Sequence, residues 1–163
     1  MFIKTNKGET IIDGVIVKDL KVIKDDRGGL FEIIRSDEPN FTFGQVYITQ
    51  CNPGYIKAWH YHKLQTDRWV VIKGIARIVL YDTRTKSSTF EQDFDQVFNE
   101  YNPRLLTIPK GVVHGFENIS ISEQCWIMNI PDQLFNYKEP DEYRLPFNDP
   151  SIVVMAWYNQ KGG

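Results

Sequence analysis

Short runs rich in Val, Ile, Tyr, Phe and Thr recur along the whole chain, set off by Gly, Pro, Asn and Asp, and this punctuation limits what the chain can fold into. Examples are Val15-Ile-Val-Lys18, Leu30-Phe-Glu-Ile-Ile34, Gln45-Val-Tyr-Ile-Thr49, Trp69-Val-Val-Ile72, Ala76-Arg-Ile-Val-Leu-Tyr81, Arg104-Leu-Leu-Thr-Ile108 and Cys125-Trp-Ile-Met-Asn-Ile130. Many short strands with turn signals between them predict an all-β sandwich or barrel. Helical periodicity is weak everywhere, and only from Glu91 to Tyr101 does a helix compete with a strand. Lys73-Gly74, between two runs, predicts a hairpin turn, because Gly accepts the positive φ such turns demand. Prolines at 131, 140, 146 and 150 predict loops and short turns in that stretch. The closing Lys161-Gly162-Gly163 reads as a frayed end.

With 163 residues, the chain is expected to form one domain spanning residues 1–163, large enough to bury roughly 70% of its unfolded surface. Its apolar fraction of 42% and charged fraction of 25% are those of a globular protein. No apolar run approaches the roughly 20 residues that cross a bilayer, and Met1 to Gly8 lacks the features of a secretory signal. A cytoplasmic location is the resulting expectation. Cys51 and Cys125 form no zinc or C-x-x-C spacing and read as buried free thiols. A net charge of -2, with both signs mixed along the chain, offers no field for nucleic acid or an anionic membrane. A phosphate-bearing small molecule stays open, since one or two placed cations can hold it.

All three histidines fall in two short segments, Gly54 to Gly74 with His60-Tyr61-His62, and Pro109 to Asn118 with His114. Residues two apart on a strand share a face, so His60 and His62 project together while Trp59 and Tyr61 face the other way. Asp67 opens the next run, and the Pro109-Lys110-Gly111 turn can aim His114 back toward them. Three imidazoles and a carboxylate suit acid-base chemistry or a divalent metal. The two segments resemble the two motifs of the cupins, which implies a jelly-roll β-barrel whose mouth holds a metal ion or a cluster of acid-base residues. The cupin metal pattern carries Glu where this chain has Asp67, one methylene shorter.

Asp26-Arg27-Gly28-Gly29-Leu30-Phe31-Glu32, the stretch Leu80 to Phe90, Ile108 to Phe116, and Phe147-Asn148-Asp149-Pro150-Ser151-Ile152 through Trp157 extend the likeness over nearly the whole chain. As a set they resemble the dTDP-4-dehydrorhamnose 3,5-epimerases. The resemblance implies a dimer without a cofactor that binds a dTDP-linked 4-keto-6-deoxy sugar and removes a proton beside its C4 ketone. It implies His60 as base; from the residues themselves, His62 on the same face is the candidate proton donor or partner, and Asp67 the group that can orient an imidazole and raise its pKa. It further implies that Arg27 and Lys57 hold the diphosphate, that Glu32 and Gln45 line the nucleotide site, and that His114 lines the pocket. Lys57 stands where the family has arginine and so loses the bidentate geometry.

Four departures separate this chain from that family: His62 replaces Gln, Asp67 replaces a lysine, Met128 stands at or beside the general-acid tyrosine, and the base-pairing aspartate lies beyond the residue matching Trp157. His60-Tyr61-His62-Lys63 also resembles the sugar-nucleotide 3,4-ketoisomerases, in which two histidines on one strand shuttle a proton. The alternatives are therefore a 3,4-ketoisomerase using His60 and His62, a metal-binding cupin with one divalent ion on His60, His62, Asp67 and His114, and a catalytically silent sugar-nucleotide binder. Among the aromatics, Tyr47, Tyr55, Trp59, Trp126, Phe135 and Tyr137 are candidates for stacking on a nucleobase, with core or interface roles expected for most.

Overall fold

A computed structural model describes residues 12–39, 41–154 and 156–163. The stretch from Met1 to Gly8, read above for the absence of a signal, lies outside the described residues. Among the described residues, thirteen strands follow one another: β1 (Ile16–Asp19), β2 (Val22–Asp25), β3 (Gly28–Phe31), β4 (Tyr47–Cys51), β5 (Tyr55–Tyr61), β6 (Asp67–Lys73), β7 (Ile75–Asp82), β8 (Asp93–Asn99), β9 (Arg104–Ile108), β10 (Val112–Asn118), β11 (Cys125–Asn129), β12 (Tyr143–Arg144) and β13 (Lys161–Gly162). They form a jelly-roll β-barrel of two facing sheets. One has the order β1-β9-β6-β11-β4 and the other β12-β5-β10-β7-β8, with β13 added beside β5. Among the described residues, β2 and β3 pair only with each other.

The burial pattern explains why β6 and β7 read as continuous apolar runs: both faces of each strand are covered. Between the sheets, Trp69, Val71, Ile78, Leu80, Leu106, Phe116 and Ile127 interdigitate. Outside the β7 sheet, Val79, Tyr81 and Val113 pack under the C-terminal tail through Ile152 and Trp157. Outside the β6 sheet, Leu20, Val70 and Leu105 meet Phe31, Ile33, Ile34 and Met128. Each fully buried side chain of this kind contributes about 1.5–3 kcal/mol.

Three expectations change. Lys73-Gly74 does not close a hairpin, because β6 pairs with β9 and β11 while β7 pairs with β8 and β10 in the opposite sheet. Gly74 turns the chain from one sheet to the other with φ +74, and a Cβ there would lie 2.7 Å from the Gln124 carbonyl oxygen. The competition at Glu91–Tyr101 resolves as strand β8, which pairs along β7. The closing residues are not frayed: Lys161 and Gly162 run parallel to Tyr55 and Ile56. The proline-bearing stretch carries only β12, two residues long. Cys51 and Cys125 are free, buried cross-strand neighbours on β4 and β11.

Candidate active site

His60 lies near the end of β5, directly opposite His114 on β10. The two strands approach closely at Gly115, where a Cβ would come within 2.3 Å of the Ala58 Cβ. The His60 and His114 ring centroids are 4.1 Å apart, and His60 is 5.6 Å from His62. Asp67, the first residue of β6, projects from the facing sheet and places Oδ2 at 3.3 Å from both His62 Nε2 and His114 Nε2. Its other oxygen, Oδ1, accepts from Gln65 Nε2 at 2.6 Å.

The outer nitrogens are fixed as well. His62 Nδ1–H donates to the Asp141 carbonyl, and His114 Nδ1–H donates to the Val112 carbonyl at 2.9 Å. A carbonyl only accepts, so both Nδ1 atoms carry hydrogen. In a neutral ring each Nε2 would then be a lone pair aimed at a carboxylate oxygen. His62 Nε2, His114 Nε2 and Asp67 Oδ2 are buried and have no hydrogen-bond partner of good geometry among the described residues. Three converging acceptors require a shared cation, either a proton or a metal ion. Burial opposes the charge on His62, but the Asp67 carboxylate beside it outweighs this and raises the His62 pKa above its ordinary value. Burial likewise opposes ionisation of Asp67, and the two imidazoles facing it, His114 and His62, overcome it, so the carboxyl falls well below its usual range. His60 moves the other way: burial, then the His114 charge, push its pKa well down, leaving a neutral imidazole.

Above these rings opens a cavity of 640 Å³ lined by Gln45, Tyr47, Lys57, His60, His62, Asn129, Phe135, Tyr137 and Arg144, among others. Of the residues expected at the site, His60, His62, Lys57 and Gln45 line it. Asp67 and His114, each 1% exposed, do not. His114 thus lies behind His60 rather than lining the cavity, and Asp67 stands beside His62, the position expected of a group that orients an imidazole.

Arg27 and Glu32 lie away from this cavity. The Arg27 side chain is 89% exposed on the β2–β3 hairpin and pairs with Asp25 at 2.5 Å, while Glu32 pairs with Arg35 at 3.3 Å. The hairpin is a separate two-stranded sheet, so neither reaches this chain's cavity. Met128 packs against the outer cluster with Leu20 and Val70, and its neighbours Ile127 and Asn129 face the cavity instead. Of the aromatics, Tyr47, Trp59, Phe135 and Tyr137 line the cavity, whereas Tyr55 and Trp126 do not.

Two residues were missed from sequence. Arg144 on β12 is the cross-strand partner of His60 and pairs with Glu142 at 2.6 Å at the cavity wall. Asp141 accepts the backbone N–H groups of Lys63, Leu64 and Gln65 at 2.9, 2.8 and 3.0 Å, clamping the turn that carries His62. Both sit in the proline-bearing stretch, whose irregular backbone gives no periodicity to align them with the barrel.

The profile of the polysaccharide biosynthesis C-terminal domain family matches residues 23–143. The spore coat polysaccharide biosynthesis protein SpsL of Bacillus subtilis is 41% identical over 87% of this chain and 94% of its own length. The probable low-salt glycan biosynthesis epimerase Agl13 of Haloferax volcanii is 36% identical, covering 90% and 94%. Among solved structures, a dTDP sugar isomerase from Desulfovibrio desulfuricans superposes with a TM-score of 0.81 at 28% identity, covering 93% of this chain and 95% of that one. With its fold, its histidine cluster and these relatives in agreement, the chain belongs to the polysaccharide biosynthesis C-terminal domain family, within the jelly-roll sugar epimerases that include dTDP-4-dehydrorhamnose 3,5-epimerase.

Proposed function

We propose that the protein is an isomerase that epimerises a nucleotide-linked 4-keto-6-deoxy sugar, probed most directly as its dTDP form, with His60 as the base. The observation that carries this reading is His60 on the cavity wall, where burial holds its pKa well below the ordinary value, with the adjacent His62 at 3.3 Å from the Asp67 carboxylate. A proton beside a ketone is acidic only when the enolate oxygen that develops is stabilised. The His62 imidazolium, held by Asp67 behind it and the Asp141 carbonyl beside it, is the charged donor for that oxygen. Lys57 and Arg144, the cationic side chains lining the cavity, hold the diphosphate through charge-assisted hydrogen bonds. Phe135 and Tyr137, with ring centroids 5.0 Å apart at the rim, offer an aromatic face to the base.

A homodimer is part of this reading. Ile23 and Leu30 are exposed on the hairpin of Arg27 and Glu32, and β4 ends its sheet with Val46 and Ile48 exposed beside and along it. A cytoplasmic location is supported by the two neighbouring thiols, which an oxidising compartment would tend to join.

His60→Ala should abolish exchange of the sugar proton with solvent deuterium, followed by proton NMR in heavy water with dTDP-4-keto-6-deoxyglucose. Undiminished exchange in the variant would remove His60 from the mechanism. The same spectra separate epimerisation from 3,4-ketoisomerisation using His60 and His62, because the latter moves the ketone to C3. A nucleotide-sugar binder without catalysis would bind dTDP and exchange nothing.

A second reading is favoured by the three unpartnered buried atoms. One ligand atom from each of His60, His62, Asp67 and His114 lies within 4.8 Å of the others. The 3.3 Å separations of Asp67 Oδ2 from the two Nε2 atoms suit tetrahedral ligands, which metal bonds of about 2.0–2.2 Å place roughly 3.3–3.6 Å apart. A divalent ion bound there would supply Lewis acidity for the ketone oxygen. Elemental analysis of protein purified without chelator decides between the two, a stoichiometric metal favouring this second reading.

A further inference from the structure

Inverting a carbon requires a proton delivered to the face opposite the one it left. His60 lies near the end of β5 and His62 just beyond it, on one wall of the cavity. The facing wall is the five-stranded sheet, where Met128 points out of the barrel and Asn129 points in. Asn129 is the cross-strand partner of Tyr47. The Arg68 backbone N–H donates to Asn129 Oδ1 at 3.1 Å, which fixes the orientation of the amide. Asn129 Nδ2 then donates to Tyr47 Oη at 2.8 Å. An amide NH₂ group only donates, so the phenol oxygen accepts there and its own hydrogen turns elsewhere. Tyr47 lines the same cavity as His60, and that space is open to its hydrogen. Burial, reinforced by the negative charge of Asp67, pushes the phenol up to about 12, so the proton is in place at neutral pH.

We propose that Tyr47 is the proton donor of the reaction, acting from the wall opposite His60 and oriented by Asn129. The assignment rests on the epimerase reading above. His60 takes the proton from the carbon beside the ketone; the C–H electron pair becomes a C=C bond, and the carbonyl π pair moves to oxygen as an enolate. The enolate carbon then takes the Tyr47 hydroxyl proton on its other face. A C–H bond forms, the ketone returns, and the phenolate left behind keeps the Asn129 N–H as its donor. Water reprotonates the phenolate and accepts the proton from His60, so no proton is consumed overall.

Tyr47→Phe removes the proton and keeps the ring. In heavy water with dTDP-4-keto-6-deoxyglucose, the variant should bind dTDP as the wild type does and still exchange the abstracted proton with retained configuration. Its inverted product should form at least about 100-fold more slowly, the low end for loss of a general acid. Inverted product at the wild-type rate would overturn the assignment. Loss of exchange together with product, with dTDP binding intact, would place Tyr47 in the abstraction step and overturn the donor role. Failure of the underlying reading is distinguishable: the wild type itself would leave every sugar proton in place, and the Tyr47 assignment would fall with it.

Discussion

Asp67 presents Oδ2 to two imidazole nitrogens at 3.3 Å each, while Gln65 occupies its Oδ1 at 2.6 Å. Replacing it by Asn keeps the shape and the Gln65 bond, and turns two amide hydrogens toward two Nε2 lone pairs. A neutral cluster is then fully satisfied, so Asp67→Asn should retain stability to within about 1 kcal/mol in a denaturant titration. Activity should nevertheless fall by roughly 10-fold or more, because His62 loses the carboxylate that keeps it charged. NMR titration of the His62 ring protons should show its pKa lowered; an unmoved His62 would detach Asp67 from this role. His60, His62, Asp67 and His114 could be grouped from sequence because alternation along a strand and two short motifs already place them together. Their depth could not. Whether a ring lines a cavity or lies behind another depends on the β5–β10 register, and the difference between Lys57 and Arg27 depends on which sheet each one's strand joins.

At the scale of elements, the end of β7 is tied by Asp82, a fully buried carboxylate. It accepts from Arg84 Nε at 2.8 Å, Ser87 Oγ at 2.6 Å and Thr89 Oγ1 at 2.7 Å, holding the β7–β8 connection closed. Burial favours the protonated acid, but Arg84, Ser87 and Thr89 outweigh it and depress the pKa far below the ordinary carboxylate value. A depressed folded-state pKa gives stability that is present above the unfolded value of about 3.9 and lost as pH falls through the folded one. Asp82→Asn should therefore cost about 3 kcal/mol at pH 7 in urea unfolding. The gap between variant and wild type should stay constant down to about pH 5 and narrow below about pH 4; a gap independent of pH would contradict the ion pair. Most strands were legible because β-branched runs and their breakers are local signals. The sheet to which each strand belongs was not, as Lys73-Gly74 shows: the same positive φ serves a hairpin or a crossing between sheets, and the partners of β6 and β7 decide which. The strand at Lys161–Gly162 was invisible because its pairing comes entirely from β5, far away in sequence.

Across the whole molecule, the C-terminal tail is fastened to the barrel's back. Trp59 and Trp157 both donate their indole N–H to the Phe147 carbonyl, at 3.1 and 3.0 Å, and Glu117 accepts the backbone N–H groups of Tyr158 and Asn159. The tail thereby covers the face of the sheet that carries His60, and barrel and site should open together. Cys51 and Cys125, 1% and 0% exposed across one strand pair, give this a practical meaning. Burial pushes the Cys125 thiol up to about 12, so the folded protein presents almost no thiolate. Modification by a small aromatic disulfide, followed by absorbance, should then run at the pace of strand separation. Saturating dTDP at a hundred times its dissociation constant should slow it by about 100-fold; prompt or nucleotide-insensitive labelling would mean β4 detaches alone. The two sulfurs are in effect a stopwatch sealed inside the wall, started only when the barrel comes apart.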